Sequence, residues 1–263
     1  MKNQSIGFVP TMGALHDGHL SLIRKSRREN DITIVSIFVN PKQFGPREDH
    51  STYPRLEIKD ILLAKKEKVD IIFYPSEEEM YPTSFLTSVR VDQLTDVLCG
   101  PSRPGHFQGV ATIVGKLLNI VTPDVLYLGQ KDAQQAAVLK RMVTDLNFPV
   151  SIKVCPIVRE ADGLAMSSRN SYLTSRQRAE APVLYQSLKK AKRKVLTGER
   201  SPTKIINLIR NQIKKQSSGR IDYIACTDAN SLIPLKRIKG RVMISLAVTI
   251  GRTRLIDNIV FHV

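Results

Sequence analysis

Through the first 157 residues, short apolar or β-branched runs alternate with stretches of helical period. Ile6-Gly7-Phe8-Val9 and the runs 32–39, 70–74, 125–128 and 150–155 have the length and composition of strands. Between them, Ile58, Ile61, Leu62 and Lys65 fall at helical spacing. Val110, Ile113, Val114, Leu117, Leu118 and Val121 mark the buried face of a longer helix, which Pro123 ends. Gly129 turns the chain after its strand, and Asp132 is placed to cap a helix reaching Asn147. Such alternation predicts an α/β fold with a mostly parallel sheet and crossover helices. Sites on sheets of this kind lie at the carboxyl ends of the strands.

The pattern changes near residue 158. Two basic helices are expected near 175–197 and 202–216, joined through Gly198 and Pro202. Strand-like runs follow at 221–226, 242–250 and 252–259, the last after a turn at Gly251. This second region reads as a smaller α+β unit, dividing the chain into residues 1–157 and 158–263. No internal repeat and no low-complexity linker is visible. A chain of 263 residues has room for one or two domains and needs no staples to hold its core.

Charge sharpens that division. From Ser175 to the end there are 19 Lys+Arg against 5 Asp+Glu, which is +14 of the net +16. Lys189, Lys190, Lys192, Arg193 and Lys194 crowd into one helix. The excess raises nucleic-acid binding as an alternative, yet aromatic residues for stacking are sparse there, and a solvated lysine-rich face explains it as well. Cys99, Cys155 and Cys226 are too widely spaced for a disulfide framework or a zinc site and read as reduced core residues. Met1-Lys2-Asn3-Gln4-Ser5 leads into only four apolar residues before Pro10, too short for a signal peptide. No run approaches the ~18 apolar residues of a membrane span. A soluble, cytoplasmic protein without membrane partners is expected.

The densest chemistry lies in Pro10-Thr11-Met12-Gly13-Ala14-Leu15-His16-Asp17-Gly18-His19, between the first strand and an amphipathic helix. A strand, a glycine-bearing turn and a helix start together present backbone N–H groups and the positive end of a helix dipole to a phosphate. Each imidazole offers a further hydrogen bond, and Gly18 leaves room for a ligand between the rings. A metal half-site is the competing reading of a His-x-x-His pair, but no further ligand stands at matching spacing. Two ordinary buried histidines are the other. The run resembles the H-x-G-H signature of nucleotidyl-transferring α/β proteins, which bind ATP and attack its α-phosphate.

Other polar clusters also fall after strands. Asn40-Pro41-Lys42-Gln43-Phe44 follows 32–39, Gly129-Gln130-Lys131-Asp132-Ala133-Gln134-Gln135 follows 125–128, and Met166-Ser167-Ser168-Arg169-Asn170 follows the 150–158 segment. Amides, a lysine and an arginine converging on two histidines suit a polyhydroxy acid beside a triphosphate. There is no Ser-His-Asp or Cys-His arrangement, and a reaction through an enzyme-bound adenylate needs none. His106 and Arg103 fit a hydrogen-bonded loop equally well, while His50 and His262 read as surface residues.

The runs PTMGALHDGH, VSIFVNPKQFGPREDHSTYPR, SRPGHFQGVATIV, GQKDAQQ, READGLAMSSRNSYLT and RLIDN closely resemble the pantoate–β-alanine ligase family. The resemblance implies a Rossmann-like parallel-sheet nucleotidyltransferase domain of the H-x-G-H type with a smaller lid domain. It implies a cytoplasmic homodimer that activates (R)-pantoate with Mg²⁺ and ATP, releases pyrophosphate, and transfers the acyl group to β-alanine. Products are AMP and pantothenate, a precursor of coenzyme A. By motif position, Met12, Gly13, Ala14, Leu15, His16, Asp17, Gly18 and His19 would hold ATP, with His16 and His19 on the phosphates. His19 would be the proton donor, although chemically both imidazoles suit charge stabilisation of the pentacoordinate α-phosphate. Gly129, Gln130, Lys131 and Asp132 would contact the nucleotide, with Lys131 on its phosphates. Val158, Met166, Ser167, Ser168 and Arg169 would cover adenine and triphosphate. Gln43 and Gln135, with Asn40 nearby, would orient pantoate, and Gln43 would also meet β-alanine. Asp60 would be the acid near the metal, beside Lys59 and Leu63, which depart from the family's polar neighbours. Family members usually carry a strand and helix ahead of the PTMG strand, whereas five residues precede Ile6, so either the true start lies upstream or the sheet lacks an edge element. The competing functions are another nucleotidyltransferase of this type, retaining the nucleotide on its product, and an RNA-binding module built on the basic region.

Overall fold

The computed structural model describes residues 4–46 and 48–263; the expectation for the first three residues lies outside it. Its strands are β1 (Ile6–Thr11), β2 (Ile32–Ile37), β3 (Ile71–Phe73), β4 (Val125–Gly129), β5 (Ser151–Cys155), β6 (Arg220–Asp228), β7 (Arg241–Ile250) and β8 (Thr253–His262). Its helices are α1 (Asp17–Glu29), α2 (Glu57–Lys66), α3 (Glu77–Met80), α4 (His106–Val121), α5 (Ala133–Asp145), α6 (Ser175–Glu180), α7 (Val183–Leu196) and α8 (Pro202–Gln216).

Strands β1 to β5 form a parallel sheet in the order β3-β2-β1-β4-β5, the order of a doubly wound α/β sheet. Alternating strand residues feed two cores, as period-2 geometry requires. Phe8, Ile34, Leu126 and Leu128 pack with α4 and α5. Val9, Val35, Ile37 and Tyr127 pack with Leu20, Leu22 and Ile23 of α1 and Ala64 of α2. With apolar residues wanted on both faces, the strands read as continuous apolar runs.

Strands β6, β7 and β8 make an antiparallel sheet in that order. Val242, Ile244, Leu246, Val248 and Ile250 on one face of β7 share a core with Leu184, Leu188, Ala191 and Val195 of α7 and with Ile205, Ile209 and Ile213 of α8. The i, i+3 and i, i+4 spacing of those helical residues gives each helix its single apolar stripe. Tyr223 and Ile256 instead pack against the core of the parallel sheet.

Two local expectations need correction, and a third element forms as read with an unforeseen face inward. The helix expected over 175–197 is two helices, since α6 ends at Glu180 and α7 begins after Pro182, whose ring removes a backbone donor. Asp132 makes no side-chain cap on α5, because a 3₁₀ turn at Gln130–Asp132 runs directly into that helix. Helix α2 forms as its spacing predicts, but Ile58 and Leu62 stay 78% and 62% exposed while Asp60 is turned inward at 1%. The three cysteines are free and buried, as expected. Among the described residues no helix is long and apolar enough to cross a membrane.

Candidate active site

The β1–α1 turn is held open by its own side chains. Gly13 (φ 80°) and Ala14 (φ 48°) take left-handed conformations, and the buried carboxylate of Asp60 accepts the Ala14 and Leu15 N–H groups at 2.8 and 2.7 Å. A Cβ on Gly13 would lie 2.9 Å from Asp60 Oδ2. Thr11 Oγ1 accepts the Gly13 N–H and donates to Ser36 O. His16 caps α1, its Nδ1 accepting from Gly18 N at 3.1 Å, and His19 Nδ1 accepts from His16 N at 3.4 Å.

These bonds correct two sequence expectations. The N–H groups of Gly13, Ala14, Leu15, His16 and Gly18 are already engaged, so the turn offers a phosphate its imidazoles more than its backbone. Gly18, moreover, makes room for His16 itself, since a Cβ there would sit 2.7 Å from His16 Cε1. The two rings stack with centroids 4.1 Å apart. With each Nδ1 accepting a backbone N–H, each neutral ring carries its proton on Nε2 and can donate it. Burial, helped by Lys131, lowers His16 to about 4. Burial, His16 and Lys131 together hold His19 well below the usual histidine range. Near pH 7 both rings are therefore neutral donors.

The turn at Pro41–Gln43 follows β2 and lies against α4. Asn40 is 1% exposed and fully engaged. Its Nδ2 donates to Gln43 Oε1 and Gly109 O, both at 3.1 Å, and its Oδ1 accepts from Tyr81 OH at 2.7 Å and from Lys42 N. Asn40 thus fixes Gln43, whose Nε2 donates to Met12 Sδ. Helix α4 comes this close because residue 109 has no side chain: a Cβ there would be 2.1 Å from Lys42 O.

The remaining residues arrive from β4, the hairpin beyond β5, and the small sheet. Lys131 lies 3.5 Å from Asp132, and its backbone carbonyl accepts from Asn258 Nδ2, as does that of Gln130. Asp257 forms a two-pronged pair with Arg159 at 2.7 and 2.9 Å, so the RLIDN run braces both the Gln130–Lys131 turn and the segment that carries Arg159. Gln134 points away from the site, bonded to Leu94 O, Val97 O and Cys99 N, whereas Gln135 lines the cavity. Met166 N donates to Val158 O. Ser167 caps the 3₁₀ turn Ser168–Tyr172, and Ser168 Oγ meets Tyr53 OH at 3.1 Å.

One cavity of about 220 Å³ gathers Met12, His16, Gly18, His19, Asn40, Gln43, Gly129, Lys131, Asp132, Gln135, Val158, Met166, Ser167, Ser168 and Arg169. Gly13, Ala14, Leu15, Asp17 and Gln130 are outside its lining; the first three shape the turn, and Gln130 donates to Asn258. Sequence reasoning missed Tyr53 and left Arg103 and His106 undecided; all three line the cavity. Their partners are 115, 55 and 63 residues away, and the one local hint was the glycine–histidine pair opening a buried helix. His262 is exposed, but His50 is half-buried against Phe44, which corrects its assignment to the surface.

Among the described residues the donor set around Asp60 does not fit a resident metal. Both Asp60 oxygens already accept backbone N–H groups, and Asp60 lines a separate recess with Met12, Gly13, Arg55 and Glu77. Among the described residues no three His, Cys, Asp or Glu side chains converge as a metal site. The geometry gives Asp60 the task of shaping the histidine turn.

The chain as a whole is similar to proteins of one known family. The family described as Pantoate-beta-alanine ligase matches residues 1–260. A pantothenate synthetase of Caldicellulosiruptor saccharolyticus is 57% identical over 262 residues, covering 100% of this chain and 93% of that one. That of Moorella thermoacetica is 55% identical over 259 residues, 98% and 92% of the two chains. The crystal structure of pantothenate synthetase from Thermus thermophilus superposes with a TM-score of 0.95 at 44% identity, over 97% and 92% of the chains. A pantoate–β-alanine ligase from Francisella tularensis, complexed with β,γ-ATP and β-alanine, matches with a TM-score of 0.79 at 40% identity, over 98% and 90%.

Proposed function

This chain belongs to the pantoate–β-alanine ligase family, and from that premise we propose how its cavity joins (R)-pantoate to β-alanine through a pantoyl-adenylate. The observation that carries the account is the stacked His16–His19 pair, neutral and donor-ready, in one cavity with Lys131, Gln43 and Gln135.

In the first step a pantoate carboxylate oxygen attacks the α-phosphorus of ATP. A new O–P bond forms, the bond to the β-phosphate oxygen breaks, and pyrophosphate leaves. Negative charge grows on the phosphoryl oxygens in the transition state, and fixed N–H donors beside it need no reorganisation. His16 and His19 supply Nε2–H donors, Lys131 and Arg169 supply charge, and Ser167 and Ser168 supply hydroxyls. Because both rings are neutral near pH 7, they act on the phosphate by hydrogen bonding. Gln43, fixed by Asn40, and Gln135 hold the hydroxyls and carboxylate of pantoate. In the second step the free amine of β-alanine, near Gln43, attacks the acyl carbon. A C–N bond forms, the C–O bond to AMP breaks, and the amine's proton leaves to water.

Mg²⁺ is read as part of the substrate, arriving on the ATP phosphates, in keeping with the lack of a converging donor set among the described residues. We divide the chain at residues 157 and 158 into a Rossmann-like nucleotide- and pantoate-binding unit and a smaller lid. Exposed Ile58 and Leu62 on α2, with Leu56, Ile71 and Tyr74, support a homodimer through that face, since apolar clusters on a surface mark contact sites. A cytoplasmic location follows from the biosynthetic role.

Pyrophosphate exchange tests the first step. Labelled pyrophosphate should enter ATP when pantoate is present and β-alanine absent. Exchange that ignores pantoate would point to another nucleotidyltransferase.

A further inference from the structure

Two cavity arginines are held by neighbouring acids on one loop. Arg103 Nε and Nη2 donate to the two oxygens of Glu48, both at 2.6 Å. Arg169 Nε and Nη2 donate to the two oxygens of Asp49, both at 2.8 Å. The side chains of both pairs are 16–25% exposed, and two-pronged pairs of this kind fix the guanidinium plane as well as its position. Burial would raise the Glu48 carboxyl, but Arg103 reverses the sign and holds it below the ordinary range.

The two pairs lead on to different residues of the cavity. Arg103 Nη1 donates to His106 Nε2 at 3.0 Å, and His106 Nδ1 donates to the backbone oxygen of Gln43 at 2.8 Å. Glu48 is thus connected to the residue that holds pantoate. Asp49 pins one edge of Arg169, and among the described residues no hydrogen bond uses Nη1 on the other edge. The same guanidinium lies 5.4 Å from the Tyr53 ring, whose hydroxyl meets Ser168. Asp49 is thus connected to the segment that covers the nucleotide.

We propose that Glu48 and Asp49 are positioning residues for different substrates: Asp49 sets the ATP site through Arg169, and Glu48 sets the acid site through Arg103, His106 and Gln43. The inference rests on the reading of the cavity given above. Adjacent residues of one loop would otherwise be expected to disturb both sites alike, so a split between substrates is its signature.

The test is steady-state kinetics of Asp49→Asn and Glu48→Gln, each keeping side-chain shape, with KM measured for ATP and for pantoate. Losing a charge-assisted pair should raise KM for ATP about tenfold in Asp49→Asn and KM for pantoate about tenfold in Glu48→Gln, the other KM moving less than about twofold. Adding Asp49→Asn to Arg169→Gln should change nothing further. If Asp49→Asn does not fold, Arg169→Lys keeps the charge without the two-pronged pairing and carries the same expectation for ATP. Equal shifts in both KM values, or none, overturn the proposal. A wild-type protein that makes no pantothenate overturns the functional reading instead.

Discussion

Gly109→Ala probes how tightly α4 must seat the turn that carries Gln43. The added Cβ would lie 2.1 Å from Lys42 O and 2.7 Å from Gln43 N. An ordinary carbon–oxygen contact is about 3.3 Å, so the turn and helix must part by roughly 1 Å. Neither atom belongs to a flexible side chain, and the turn is also tied to α4 through Asn40 Nδ2 and Gly109 O. Overpacking of this kind costs about 1–3 kcal/mol, which for a chain of this size lowers Tm by roughly 3–9 °C. A misplacement of about 1 Å can also cost about 10²-fold in rate. The loss should appear in kcat/KM for pantoate, because Gln43 moves with the turn while the histidine turn does not. The assay is a thermal melt beside pantothenate formation at varied pantoate. A variant with wild-type Tm and wild-type pantoate kinetics would refute the claim that this close approach sets the acid site.

His19→Ala should lower turnover by at least ~10²-fold with the fold intact and only a modest fall in Tm from the lost acceptor of the His16 N–H; near-wild-type turnover would remove His19 from the site. Asp60→Ala leaves the Ala14 and Leu15 N–H groups without acceptors, at about 1–3 kcal/mol each, and should lower both stability and activity. The Mg²⁺ concentration for half-maximal rate at saturating ATP should stay unchanged, and a large rise would restore Asp60 as a metal ligand. Burial lowers His16 and His106 to about 4 against 6.5 unfolded, so between those values the unfolded chain binds more protons than the native one. Stability should therefore be full above pH 6.5 and fall toward pH 4, by up to about 3 kcal/mol per histidine. Denaturant midpoints across that window check this, and a flat profile would contradict the buried neutral histidines.

The elements were legible where periodicity and length agreed, as in α4 with its apolar face and β2 with its β-branched run. What periodicity could not show was orientation. In α2 the spacing of Ile58, Ile61, Leu62 and Lys65 gave a helix but not the face it packs, and the helix turns Asp60 inward because two N–H groups of a left-handed turn need a carboxylate. Asp132 looked like a cap, but a 3₁₀ turn occupies the place where its side chain would act. The break at Pro182 was available from the sequence and was read through. In the site, motif residues on strand ends came together because the parallel sheet puts those ends on one side. Arg103, His106 and Tyr53 were obscure since their partners lie on loops 55–115 residues away, and no local pattern encodes such pairing. Gly18 was legible as important, but for the wrong neighbour: it accommodates His16.

The most direct test of the central claim is product analysis with Mg·ATP and (R)-pantoate, with and without β-alanine. The account predicts sustained formation of AMP and pantothenate in equal amounts when both substrates are present, and at most a stoichiometric release of pyrophosphate when β-alanine is withheld. Continuous pyrophosphate release independent of β-alanine, with the nucleotide retained on the product, would contradict it.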